Sequence, residues 1–127
     1  MNSLSLVGAV AVGGSIGALA RYFLVGLIAE RYPSVIPLGT LTVNAMGALL
    51  VGVLFVVLTE KLALPSHWRF LLITGFLGAF TTFSAFSLEL VEMLMAGDTL
   101  NAVLYLLASV VLCVSLAACG IGLGRLL

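Results

Sequence analysis

The chain has 127 residues, of which 63% are hydrophobic and only 8% charged, with a formal net charge of zero. A soluble domain of this length needs far more charge to cover its surface. The absence of any basic run removes the electrostatic footprint of a nucleic-acid binder. Uncharged stretches run over 1–20, 32–59, 70–88 and 99–124, and each supplies the roughly 20 apolar residues that cross a bilayer. The expected architecture is all-α and membrane-integral, one transmembrane domain over 1–127, with spans near 4–29, 35–59, 69–95 and 100–125. The longest loop, 60–68, leaves no room for a soluble domain.

The first span carries Gly13, Gly14 and Gly17, followed by Arg21. Gly13 and Gly17 form a G-x-x-x-G pair that lets another backbone approach closely. Ala18-Leu19-Ala20 resembles a signal-peptide cleavage site, but no Lys or Arg precedes residue 21 and glycines interrupt the apolar core, so the segment is read as a span. A charge near mid-membrane costs about 2.5–3.5 kcal/mol on insertion scales. Arg21 therefore either draws anions into a vestibule or snorkels to the interface.

In the second span Pro37 suits a first helical turn, and Thr40, Asn44 and Gly47 share one face. An asparagine in lipid must find a partner. Asn44 either makes an interhelical hydrogen bond, worth about 0.6–2 kcal/mol, or donates its amide N–H to a passing anion.

The third span holds the most unusual block, Gly75-Phe76-Leu77-Gly78-Ala79-Phe80-Thr81-Thr82-Phe83-Ser84-Ala85-Phe86-Ser87. Two glycines weaken the helix, and four hydroxyls stand where lipid satisfies none of them. Broken backbone at membrane depth survives only where it is buried in protein or lines a cavity. The block predicts a break at Gly75 and Gly78 and a site for an ion or small polar solute, with freed carbonyls suited to a hard cation such as Na⁺. Phe83 and Phe86 sit three apart, and ring edges carry partial positive charge that can face an anion. Glu89 follows as either a pathway gate or an interfacial carboxylate.

The fourth span spaces Asn101, Tyr105, Ser109 and Cys113 at intervals of four. This stripe either donates hydrogen bonds to an anion or bonds back to carbonyls four residues earlier. Gly120 and Gly124 suggest a further close contact. Cys113 and Cys119 lie about 9 Å apart along one helix, too far for a disulfide.

No catalytic set emerges, and an enzyme is not expected. The only histidine, His67, lies in the 60–68 loop, and no His/Cys cluster or phosphate loop is present. Lys61, Arg69 and Arg125 on one side of the membrane oppose Arg31 and Arg21 on the other, too small a bias to fix orientation. Insertion both ways, and an antiparallel dimer, become possible. Residues 1–60 and 61–127 show no convincing repeat, so two-fold symmetry has to come from a second copy.

These blocks together closely resemble the small bacterial fluoride channels of the Fluc/CrcB family, over nearly the whole chain. The resemblance rests on Gly13-Gly14-Ser15-Ile16-Gly17 with Arg21, on Gly39-Thr40-Leu41-Thr42-Val43-Asn44, and on residues 75–87 with Glu89. It implies a multi-pass protein of the bacterial inner membrane that forms an antiparallel, dual-topology homodimer in lipid. Two pores would pass fluoride passively out of the cell and reject chloride. It further implies a structural, untransported Na⁺ at the dimer centre, held by main-chain carbonyls of Gly78 and Thr81 from each copy. The ion pathway would map to Asn44, Phe83, Phe86, Tyr105 and Ser109, with Thr82 and Thr40 as further hydroxyls and Arg21 and Glu89 at a vestibule or gate. The chain departs from the family pattern at Ala79, where a second glycine is usual, and at Cys113, a weak donor where the track expects a hydroxyl.

Two other classes compete. A small dual-topology, proton-coupled multidrug exporter has the same four-helix outline but needs a membrane-embedded carboxylate. The first span offers Arg21 and no acid, and Glu89 and Glu92 lie off the centre of the third. A membrane assembly subunit without transport leaves the hydroxyl–phenylalanine block unexplained.

Overall fold

The computed structural model describes residues 3–62 and 64–127. Helix α1 runs over Ser3–Arg31. Helix α2, Leu38–Val56, continues into a wider π-helical turn, Val57–Lys61. Helix α3 starts at Ser66–Arg69, winds through π-helical turns over Phe70–Leu77 and closes with Gly78–Phe80. After a short extended stretch, α4 occupies Phe83–Met95 and α5 Thr99–Leu126. Four stretches, Ser3–Arg31, Leu38–Lys61, Ser66–Met95 and Thr99–Leu126, are long and apolar enough to cross a membrane. The four expected spans and the all-helical class are borne out, and no strand occurs among the described residues.

The ends follow local chemistry. Pro37 is the residue before the second span rather than part of its first turn. The third span begins earlier than expected because Pro65, extended at φ −51° and ψ 144°, launches a helix at Ser66. The expected 60–68 loop thereby shrinks. Gly97, at φ 78°, ends α4, and its N–H and that of Asp98 reach back to the Leu94 and Met93 carbonyls at 3.0 Å. Asp98 then caps α5, accepting from the Asn101 backbone N–H at 3.4 Å, and takes a second bond from the Asn101 side-chain amide at 2.9 Å. Asn101, expected in the polar stripe, is thus engaged at the helix start.

Two glycine contacts set the bundle. A side chain at Gly13 or Gly17 would strike the Leu71 or Phe76 carbonyl of α3, and one at Gly75 would lie 2.8 Å from the Val10 carbonyl. Across the molecule, Gly52 and Gly120 bring α2 and α5 together, each facing the other helix's backbone. Lys61 and Arg125 lie at one end, where the Lys61 ammonium donates to the Arg125 carbonyl at 3.0 Å and Arg125 pairs with Glu60. The core is divided: Val43, Leu77 and Phe80 form one buried group, and Phe86, Met93, Ala102 and Tyr105 another.

The α1–α3 contact is testable within one helix. Gly17→Val should destabilise the protein by about 3 kcal/mol, because the Phe76 backbone cannot yield. Gly26→Ala, where nothing lies within 4 Å of an added methyl, should be stabilising by about 0.5–1 kcal/mol. Thermal unfolding in detergent reads both, and equal melting of the two variants would refute the packing.

Candidate functional site

Helix α3 ends where the backbone turns extended, at Thr81 (φ −85°, ψ 155°) and Thr82 (φ −148°, ψ 117°). The break falls three residues beyond Gly78, not at the glycines. Gly75 is committed to α1, and Gly78 keeps helical angles. The cause lies on α2. The Thr82 N–H donates to Asn44 Oδ1 at 2.7 Å, and Asn44 Nδ2 donates back to the Thr82 carbonyl at 3.0 Å. One side-chain amide thus pairs both peptide groups of a residue that has left the helix.

The hydroxyls of the block divide. Thr82 Oγ1 accepts from the Ala85 N–H at 3.2 Å and so caps α4. Thr81 and Ser87 bond back to the Leu77 and Phe83 carbonyls at 2.9 and 2.8 Å, an ordinary helical habit. In an unbroken helix the Gly78 carbonyl would meet the Thr82 N–H, and the Thr81 carbonyl the Ala85 N–H. Asn44 and Thr82 Oγ1 take those donors instead. The two carbonyls are therefore released from helical pairing, with Gly78 at an exposed position.

A second node lies about two turns further along α4. Glu89 accepts from the Thr40 hydroxyl at 2.6 Å through one carboxylate oxygen and from the Tyr105 hydroxyl at 2.7 Å through the other. Tyr105 is fully buried, with its ring edge-to-face against Phe86 at 5.1 Å. Phe83 packs beside Phe86 at 5.6 Å yet is 79% exposed. Ser109 is buried, and its hydroxyl has no hydrogen-bond partner. Back-bonding of the fourth-span stripe is thus not what engages Tyr105 or Ser109.

An open groove of about 470 Å³ joins the first node to the stripe, lined among others by Asn44, Thr81, Thr82, Phe83, Phe86 and Ser109. Gly78 and Cys113 also border it. A second pocket, about 330 Å³, reaches Thr40 and Glu89 from beneath the Tyr32–Leu38 turn. Arg21 is half-buried on α1 and borders neither. The Thr40–Glu89–Tyr105 unit had no signature in the spacing, since its members stand on three helices. Among the described residues no three His, Cys, Asp or Glu side chains gather for a metal. A hard cation would have to be held by main-chain oxygen, and the freed Gly78 and Thr81 carbonyls are donors of that kind.

Four apolar spans and a hydroxyl-lined groove at a broken helix describe a small multi-pass membrane protein. The sequence profile described as CrcB-like protein, Camphor Resistance (CrcB), matches residues 8–121. A protein of Magnetococcus marinus named fluoride-specific ion channel FluC is 44% identical over 118 residues, covering 93% of this chain and 96% of that one. Similarly named proteins of Hydrogenobaculum sp. and Hahella chejuensis are 45% and 42% identical, covering 97% and 93% of their own lengths and 94% and 93% of this chain. The chain belongs to the CrcB family, whose curated relatives are named as channels and not as enzymes.

The amide clamp makes a stability prediction. Asn44→Asp keeps the acceptor for the Thr82 N–H but sets a carboxylate oxygen against the Thr82 carbonyl. Loss of about 1–3 kcal/mol is expected, seen as a lower melting temperature and faster hydrogen exchange at Thr82. Unchanged exchange there would exclude the clamp.

Proposed function

We propose that this protein is a passive, fluoride-selective ion channel that lets cytoplasmic fluoride leave a bacterial cell. It works as an antiparallel homodimer with two pores in the inner membrane. One observation carries the reading beyond the names of its relatives. The Thr40 and Tyr105 hydroxyls already converge on one acceptor group, the two oxygens of the Glu89 carboxyl, from two sides. An entering halide would take over those donors and pass to the partnerless Ser109 hydroxyl. Phe83 and Phe86 offer ring edges on the way, and Asn44 Nδ2 carries a second hydrogen beyond the one bonded to Thr82.

Fluoride is small and tightly hydrated, so a pore must replace its water with closely spaced donors. A narrow bore between phenylalanine edges excludes larger halides, and weak, repeated sites let the ion leave. Arg21 serves as a vestibule charge that enriches anions near the entrance.

The second copy is supported by what one copy leaves open. Phe83 and Gly78 are exposed while their neighbours Phe86 and Thr82 are buried. The Gly78 and Thr81 carbonyls from two copies would give four oxygens for a Na⁺, which supplies a fixed positive charge binding the two broken helices to each other. The small charge bias of the loops is compatible with insertion in both orientations. The exporter alternative gains nothing, since both oxygens of its candidate carboxylate are held by hydroxyls.

Purified protein in liposomes, followed with a fluoride electrode, tests this. Rapid fluoride efflux with chloride retained is expected. Proton-coupled efflux of a lipophilic cation would install the exporter, and silence would leave an assembly subunit. Phe83→Ile should slow fluoride efflux by about tenfold or more, a barrier increase of about 1.4 kcal/mol, with the dimer intact on size exclusion. Wild-type throughput in that variant would take Phe83 out of the pathway. Exchange of Na⁺ for a larger organic cation should loosen the dimer or stop conduction, and indifference to the exchange would refute the Gly78–Thr81 site.

A further inference from the structure

Asn44 is not the only residue of α2 that meets the break. Three residues on, the same face presents Gly47, which is buried. A side-chain methyl at Gly47 would collide with the Thr81 methyl, while its next neighbours, Phe80 Cδ1 at 3.5 Å and Thr81 Cβ at 3.7 Å, are at ordinary contact distance. The conflict is therefore with one methyl group. That methyl has little freedom to turn away. The Thr81 hydroxyl donates to the Leu77 carbonyl at 2.9 Å, and the Thr81 N–H reaches the same carbonyl at 3.0 Å. A β-branched side chain so tied is held in one rotamer.

We infer that Gly47 is a positioning residue for conduction: it is the socket that receives the Thr81 methyl and so fixes where the third span stops being helical. Asn44 grips Thr82 and Gly47 seats Thr81, so two positions on one face of α2 hold two consecutive residues of the break. An added methyl at 47 leaves two escapes. Either Thr81 rotates and gives up Leu77, or α2 and the break move apart and the 2.7 Å and 3.0 Å bonds from Asn44 to Thr82 stretch. Both reshape the groove that Gly47 and Thr81 line together, and the second also shifts the Thr81 carbonyl. The inference rests on the proposed channel function for its conduction readout only.

Because the conflict is with a single methyl, the effect of changing Gly47 should depend on what stands at 81. Thr81→Ser removes the methyl and keeps the hydroxyl. Gly47→Ala is expected to slow fluoride efflux from liposomes by about tenfold and to lower the melting temperature. Thr81→Ser alone is measured as the reference for the double variant. The double variant should return to within about threefold of Thr81→Ser and recover the melting temperature, since close neighbours couple and distant ones add. A Gly47→Ala variant that conducts and melts like wild type overturns the inference. So does one whose loss is the same with Ser at 81 as with Thr. Should Gly47→Ala fail to fold, restored yield and melting in the double variant is expected, and continued failure counts against the socket. If wild type itself passes no fluoride, the proposed function falls, while coupling in melting still decides the role of Gly47.

Discussion

The fold turns on one side-chain amide. In a bilayer each peptide group without a partner costs several kcal/mol, so a helix can open there only if something else pairs the groups it releases. Asn44 does this for Thr82, donating and accepting as a neighbouring strand would. With that residue satisfied, the rest of the break follows. Thr82 Oγ1 is placed to cap α4, and the fourth span can pack its stripe against the new helix start. The Gly78 and Thr81 carbonyls are left without their helical donors, which Asn44 and Thr82 Oγ1 have taken.

The two polar nodes are linked by Phe86. Its ring lies between Phe83, at the mouth of the groove, and Tyr105, whose hydroxyl is held by Glu89. Three polar side chains near this path are held by a second element: Asn44 by the break, Thr40 and Tyr105 by the Glu89 carboxyl. Ser109 is the exception, a buried hydroxyl with nothing to bond. Donors already gathered around one carboxyl group suit a strongly hydrated anion, because they stand close together before it arrives.

Much of this was legible in the sequence, and what was not has a common cause. Charges at Arg31, Glu60, Arg69 and Asp98 bracket the spans, so helix ends fell within a few residues. The four-residue spacing of Tyr105 and Ser109 put them on one stripe. The break, by contrast, was expected at Gly75 and Gly78, where local propensity is weakest. Its actual position is set by Asn44, 38 residues away in the chain, while Gly75 serves contact with Val10 and Gly13. Glu89 was open between gate and interface for the same reason. Its partners lie 49 and 16 residues off, and no spacing rule reaches them. Asn101 is engaged locally, since an Asp three residues earlier is an ordinary helix cap.

A single copy leaves the chemistry half enclosed. Along one face, Gly78 and Phe83 are exposed while Leu77, Thr82 and Phe86 are buried, so the groove opens sideways at the level of the break. Lipid at that opening would meet freed carbonyls and a hydroxyl it cannot satisfy. Another protein surface with the same groups would meet them with a cation between, which turns the liability into the contact itself. That is why the proposed second copy belongs on this face and not on α1, whose exposed Leu19, Phe23 and Leu27 offer lipid only apolar surface. In the proposed channel the break would do double duty, shaping a route for an anion within one chain and presenting the oxygen atoms through which two chains would hold a common ion.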